Sequence, residues 1–162
     1  MAFENTVLNE VLELPSGEVI KASPYNVSSF ERFEDGLVVG RFAKYDTGSV
    51  DNLDGSATPL IAGVVRRKVT GEITNVDAIY SASGPEVDQV AEVINFGFAT
   101  VTVTDAATPA KYEAVNVIND ATADAGKATN AAVAAGIISA GDVVFWEENR
   151  ENVWLVRINK YL

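Results

Sequence analysis

The chain of 162 residues contains no cysteine and no histidine. Without cysteine there is no disulfide framework, no thiolate nucleophile and no cysteine-based zinc site. Without histidine there is no Ser-His or Cys-His catalytic pair. Positive charge is scarce as well: 12 Lys and Arg stand against 23 Asp and Glu, a formal net charge of −11. A field of that sign repels phosphate backbones, so no nucleic-acid partner is expected. Long apolar runs are missing too. No stretch approaches the roughly 18 to 20 uncharged apolar residues that span a bilayer, and no membrane partner is expected. The N-terminus carries acidic residues where a secretory leader would be basic.

Leucine is the next scarcity. There are 8 Leu against 23 Val, 9 Ile and 11 Thr. β-Branched side chains are stiff at χ1 and suit a pleated surface, whereas helical cores favour leucine. Hydrophobic residues make up 48% of the chain, enough for a core. The composition therefore predicts a mainly β protein: a single β-sandwich or barrel-like domain with an N-terminal arm and one long small-residue loop. The 22 Ala are the contrary signal, and many cluster between residues 119 and 140.

Residues 1–30 read as an N-terminal arm and lead-in, and 31–162 as the β-rich domain. In the arm, Phe3, Val7, Leu8, Val11 and Leu12 fit a helical stripe that Pro15-Ser16-Gly17 stops. Strands are predicted over residues 37–44, 60–69, 73–80 and 87–94, the last readable also as a short helix. Residues 98–104 alternate, with Ala99, Val101 and Val103 on one face and Thr100, Thr102 and Thr104 on the other. Residues 105–111 read as a hairpin loop, with 112–118 as the partner strand. Residues 119–140 read as a long surface loop with at most a short Ala-rich helix, and 142–147 and 153–161 as strands around a polar turn at 148–151.

Candidate chemistry is thin. Gly126-Lys127 lacks the phosphate-loop spacing, since Ala121 and Ala128 stand where Gly and Ser or Thr belong. The Asp46, Asp51 and Asp54 carboxylates lie in an oxygen-rich run, but an EF-hand register puts Val50 and Ile61 at ligand positions. Asp and Asn in such a run form turns through side-chain-to-backbone hydrogen bonds. No cofactor, metal or catalytic residue is assigned. Trp146 and Trp154 read as core or interface anchors rather than sugar platforms. Arg66, Arg67 and Lys68 form the basic cluster of the sequence; in a strand they alternate faces, as a contact to an acidic partner or as protection of an edge.

Gly40-Arg41-Phe42-Ala43-Lys44-Tyr45-Asp46, the DNLDGSATPLIAGVVRR run from Asp51 to Arg67, the Gly126-Lys127-Ala128-Thr129 loop and the closing Val153-Trp154-Leu155-Val156-Arg157-Ile158 resemble the structural cement (decoration) proteins of tailed-bacteriophage capsids. That resemblance implies a β-rich virion protein, made in the host cytoplasm, that binds the outer surface of the expanded head at capsomer junctions. Its implied partners are the major capsid protein and sister copies, as a homotrimer or else a dimer. Contact candidates follow from position: Phe3, Val7, Leu8, Val11 and Leu12 of the arm, Asp51 and Asp54 of the following loop, and Arg66, Arg67 and Lys68. The competing reading is a carbohydrate- or receptor-binding β-sandwich on a virion surface, which would need exposed aromatic rings.

Overall fold

The computed structural model describes residues 16–18, 24–30, 37–66 and 91–159. Among them there is no helix and there are nine strands: β1 (Asn26–Phe30), β2 (Phe42–Asp46), β3 (Ser49–Asn52), β4 (Ile61–Val65), β5 (Ala91–Thr102), β6 (Ala114–Ile118), β7 (Ala128–Thr129), β8 (Ile137–Arg150) and β9 (Val153–Ile158). They make one curled antiparallel sheet, a half-barrel, in the order β3-β2-β4-β5-β9-β8-β6-β7, with β1 also paired to β5. The mainly β expectation holds. The helical stripe of the arm and the strand at 73–80 lie outside the described residues, as do 67–69 and 87–90. Residues 26–30, read as part of the lead-in, form β1 of the sheet.

β5 is shared by both halves of the sheet. Its first half pairs with β4 on one edge and β1 on the other, since Ile94 is opposite both Val64 and Val27. Its second half pairs with β9, from Gly97 opposite Ile158 to Thr102 opposite Val153. The buried side chains of β5 change sides along the way. Val93 joins a cluster with Leu37, Val39, Ala43, Val50, Ala62 and Val65. Ile94 joins the larger cluster within the curl, and so do Ala99, Val101 and Val103. Odd-numbered residues thus face one cluster before Gly97 and the other after it, which strict two-residue alternation cannot give. Gly97 lies between these segments at φ 98, and a Cβ there would sit 2.6 Å from the Pro24 carbonyl oxygen. A similar slip occurs in β4, where Ile61 and Val64 both join the larger cluster and the β2–β4 register shifts.

Asn95 secures β1 beside this switch. It is buried, accepts a hydrogen bond from Asn26 Nδ2 at 2.6 Å and donates one to Ser28 Oγ at 2.8 Å. A buried amide satisfied on both sides costs little and specifies register.

Several expectations need correction. The strand predicted at 37–44 begins only at Phe42, because residues 39–40 form a turn with Gly40 at φ 77. The alternation at 98–104 is present, and Thr100 on its threonine face is fully buried. A segment around Gly17 covers it: Gly17 N donates to Thr100 O, Thr100 N to Glu18 O and Glu18 N to Thr100 Oγ1, at 2.8, 2.9 and 2.9 Å. Residues 112–118 do not pair with β5. β6 lies against β7 and β8, and the late β8–β9 hairpin fills the place beside β5 in a Greek-key arrangement. The small-residue stretch holds no helix: Ala128 and Thr129 form β7, and β8 starts at Ile137. Alanine here fills tight sheet contacts, with Ala128 and Ala140 buried. The polar turn is also narrower, because β8 runs to Arg150 and leaves a two-residue Glu151-Asn152 loop with Asn152 at φ 58. Asparagine tolerates that conformation better than most residues.

The side switch makes a quantitative demand. Gly97→Ala is expected to cost about 3 kcal/mol, from left-handed backbone strain plus a steric clash. Gly48→Ala, at φ 82 in the Thr47-Gly48 hairpin loop with nothing within 4 Å of the new Cβ, should cost only about 1 kcal/mol. Urea midpoints at unchanged m-value check both.

Candidate functional site

The positions proposed for contact fall in different places. Phe3, Val7, Leu8, Val11, Leu12, Arg67 and Lys68 lie outside the described residues. Asp51 is in β3 and only 8% exposed. β3 is a short strand ending the sheet path, a length that limits edge-to-edge pairing. Asp54 begins the exposed loop that follows. Arg66 stands elsewhere, at the end of β4, where its Nη1 meets Glu92 Oε2 at 2.6 Å and its backbone N–H bonds the Glu92 carbonyl at 2.7 Å. The structure therefore separates these candidates: Asp51 is buried within β3, Asp54 lies in the exposed loop after it, and Arg66 is a brace between β4 and β5.

That loop is held in shape by short-range chemistry. Lys44 Nζ and Asp54 Oδ2 are 2.6 Å apart, and Asp54 Oδ1 accepts the Ser56 N–H at 3.0 Å. The Lys44 hydrogen bond, followed by that of Ser56, lowers the Asp54 carboxyl to about 2. Leu53, 1% exposed, fastens the loop to the core. No group of three or more His, Cys, Asp or Glu among the described residues is placed to hold a metal ion. The Asp46, Asp51 and Asp54 carboxylates form no such group: Asp54 turns to Lys44 at 2.6 Å, and the Asp46 carboxylate accepts the neighbouring Thr47 hydroxyl at 3.3 Å.

Sequence reasoning missed the residues that join this loop to the small-residue stretch. Asn119, 5% exposed, accepts the Gly55 N–H at 3.0 Å and donates Nδ2 to the Ser56 carbonyl at 2.9 Å. Arg41 does the same one loop further on, donating Nη1 to the Ala123 and Ala125 carbonyls at 2.6 and 3.1 Å. Burial lowers the Arg41 pKa and nearby Asp124 opposes that shift. Asp124 is itself held low, chiefly by its hydrogen bond with Lys127 at 2.6 Å. Residues 53–58 and 119–127 thus form one hydrogen-bonded surface. Its long-range amide and guanidinium bonds carry no local sequence signature.

A second surface lies on the outside of β5 and β8. Trp146 meets Phe98 and Tyr112 edge to face, with centroids 5.2 and 5.3 Å apart, and Lys111 Nζ lies 4.6 Å from the Trp146 ring centre. Tyr112 is 63% exposed and held at φ 69, with its N–H bonded to Phe145 O at 2.7 Å. Trp154 instead packs inward on Phe145, at 5.6 Å.

The described residues form one antiparallel β-sheet whose polar loops are fastened by hydrogen bonds, with no group of three or more His, Cys, Asp or Glu among them placed to hold a metal ion. Comparison with known proteins supplies the family. The chain belongs to the XM1 gp53 minor capsid protein family, whose model matches residues 3–160. It is also similar to a chain in a solved structure described as "The capsid of Myoviridae Phage XM1", with 63% identity over 100% of both chains and a TM-score of 0.81. No curated protein matches it. This is a bacteriophage capsid protein with a structural role, located in the virion.

The loop cluster yields a direct check. Asn119→Ala removes both bonds to residues 55–56 and leaves the Gly55 N–H and the Ser56 carbonyl to water. A loss of about 2 kcal/mol is expected, with faster amide exchange at Gly55; thermal unfolding and exchange of that amide measure both.

Proposed function

We propose that the protein is a capsid cement, or decoration, protein that binds the outer surface of the expanded head at capsomer junctions and stabilises it against internal DNA pressure. The observation that carries this reading is the match along the whole chain to a capsid protein at 63% identity. Its partners in this reading are the major capsid protein and two sister copies, giving a homotrimer, and it acts without catalysis.

The physics is linkage. A protein that binds the expanded lattice and not the separated subunits stabilises the lattice by mass action, by RT ln(1 + [L]/Kd) per site. A trimer that touches several capsomers adds effective concentration, so modest single contacts resist pressure together. The half-barrel suits that task because its loops at 53–58 and 119–127 are held by internal hydrogen bonds and lose little entropy on docking. The arm residues Phe3, Val7, Leu8, Val11 and Leu12 are proposed to lie on a neighbouring chain. Asp51, Asp54 and the basic cluster from Arg66 to Lys68 are proposed as rim contacts. The Lys111 ammonium over the Trp146 face weighs against the sugar-binding alternative, which needs an open, flat ring.

Purified protein should co-sediment saturably with cognate heads that lack it. It should prefer expanded shells to unexpanded precursors and raise the melting temperature of the heads. Absence of binding to either shell would overturn the cement role.

A further inference from the structure

The connection from β5 to β6 crosses the end of the β8–β9 hairpin, and between them lies an open cavity of about 300 Å³. Val103, Ala107, Pro109 and Trp154 supply apolar wall, and Glu148 and Glu151 supply carboxylates. Local backbone features account for this placement. Glu148 stands opposite Trp154 in the β8–β9 register, immediately before a bulge that reaches Arg150. Bulges add twist and re-aim side chains. Asn152 at φ 58 closes the turn next to Glu151. Trp154 is fixed from below by its edge-to-face contact with Phe145.

The two glutamates differ from the anchored acids of this protein. Asp54, Glu92 and Asp124 each have a basic partner at 2.6 Å. Glu148 and Glu151 are exposed and have no such partner among the described residues. A cavity with an indole wall and two unpaired carboxylates complements a cation that is flat and rich in donors. Guanidinium stacks on aromatic rings and bonds carboxylates through a rigid fork, which ammonium cannot do. The net charge of −11 makes a second copy of this chain a poor source, since it brings the same field. A different and more basic chain is the better fit.

From this geometry we propose that the cavity seats an arginine side chain of another capsid chain, with its guanidinium against Trp154 and its N–H groups shared by Glu148 and Glu151. The proposal rests on the reading that the protein binds assembled heads, and it names one contact by which it does so.

The test measures binding of three full-length proteins to expanded heads lacking the protein: wild type, Glu148→Gln/Glu151→Gln, and the charge-matched control Glu147→Gln/Asp105→Asn. All four positions are exposed, so all three proteins should melt alike. The cavity variant should bind about tenfold more weakly or worse, with a flatter salt dependence, and the control within about twofold of wild type. Equal binding by the cavity variant and wild type would overturn this contact while leaving the cement role intact. Equal weakening in both variants would also overturn it, by showing that only overall charge matters. If wild type fails to bind, the cement reading falls, and this contact with it.

Discussion

The fold depends on a change of side within one strand. β5 must face one apolar cluster with Val93 and a different one with Ile94, then present Ala99, Val101 and Val103 to the cluster of Ile94. Two-residue periodicity forbids that unless one residue leaves the extended region, and Gly97 does so at φ 98. The chain at Pro24 and Tyr25 fills the space a side chain would need. Much else follows from this strand. β1 and β9 share its one edge in sequence, and β4, the Gly17 segment and Gly40 share the other, with Thr102 N bonded to Gly40 O at 2.8 Å. The two halves of the sheet are thereby parts of one body.

What this body offers a partner is placement. The loop cluster of residues 53–58 and 119–127 is fastened by Asn119, Arg41 and Lys44. The hairpin end carries Glu148, Glu151 and Trp154 around a cavity. These surfaces are held in place by the protein's own hydrogen bonds and ring contacts.

The sequence disclosed the class of fold because class is a local property. Valine, isoleucine and threonine favour a pleated surface wherever they are, and the alternation from Ala99 to Val103 shows which residues point inward. Val153 to Ile158 is read as a strand on the same ground and is one. Partners were harder. β6 was expected beside β5 because neighbouring strands usually pair, yet the later hairpin takes that place, and no residue in 105–118 announces it. Alanine misleads between 119 and 140 because its helix preference and its usefulness in tight sheet contacts look alike in sequence; Ala128 and Ala140 serve the second purpose. For the site, Asp54 was visible as a turn former, which its bond from the Ser56 N–H bears out, but its pairing with Lys44 was not. Asn119 was not, because its two bonds reach 63 and 64 residues back along the chain. The resemblance to capsid proteins identified what composition could not, since a mainly β composition is shared by many unrelated proteins.

Native-state hydrogen exchange across β5 and its neighbours tests the central claim most directly. If one strand binds both halves, the amides of β2 and β4 and those of β8 and β9 should exchange through the same global opening, with free energies within about 1 kcal/mol of each other. Two separate opening energies, one for each half and differing by more than about 2 kcal/mol, would contradict it.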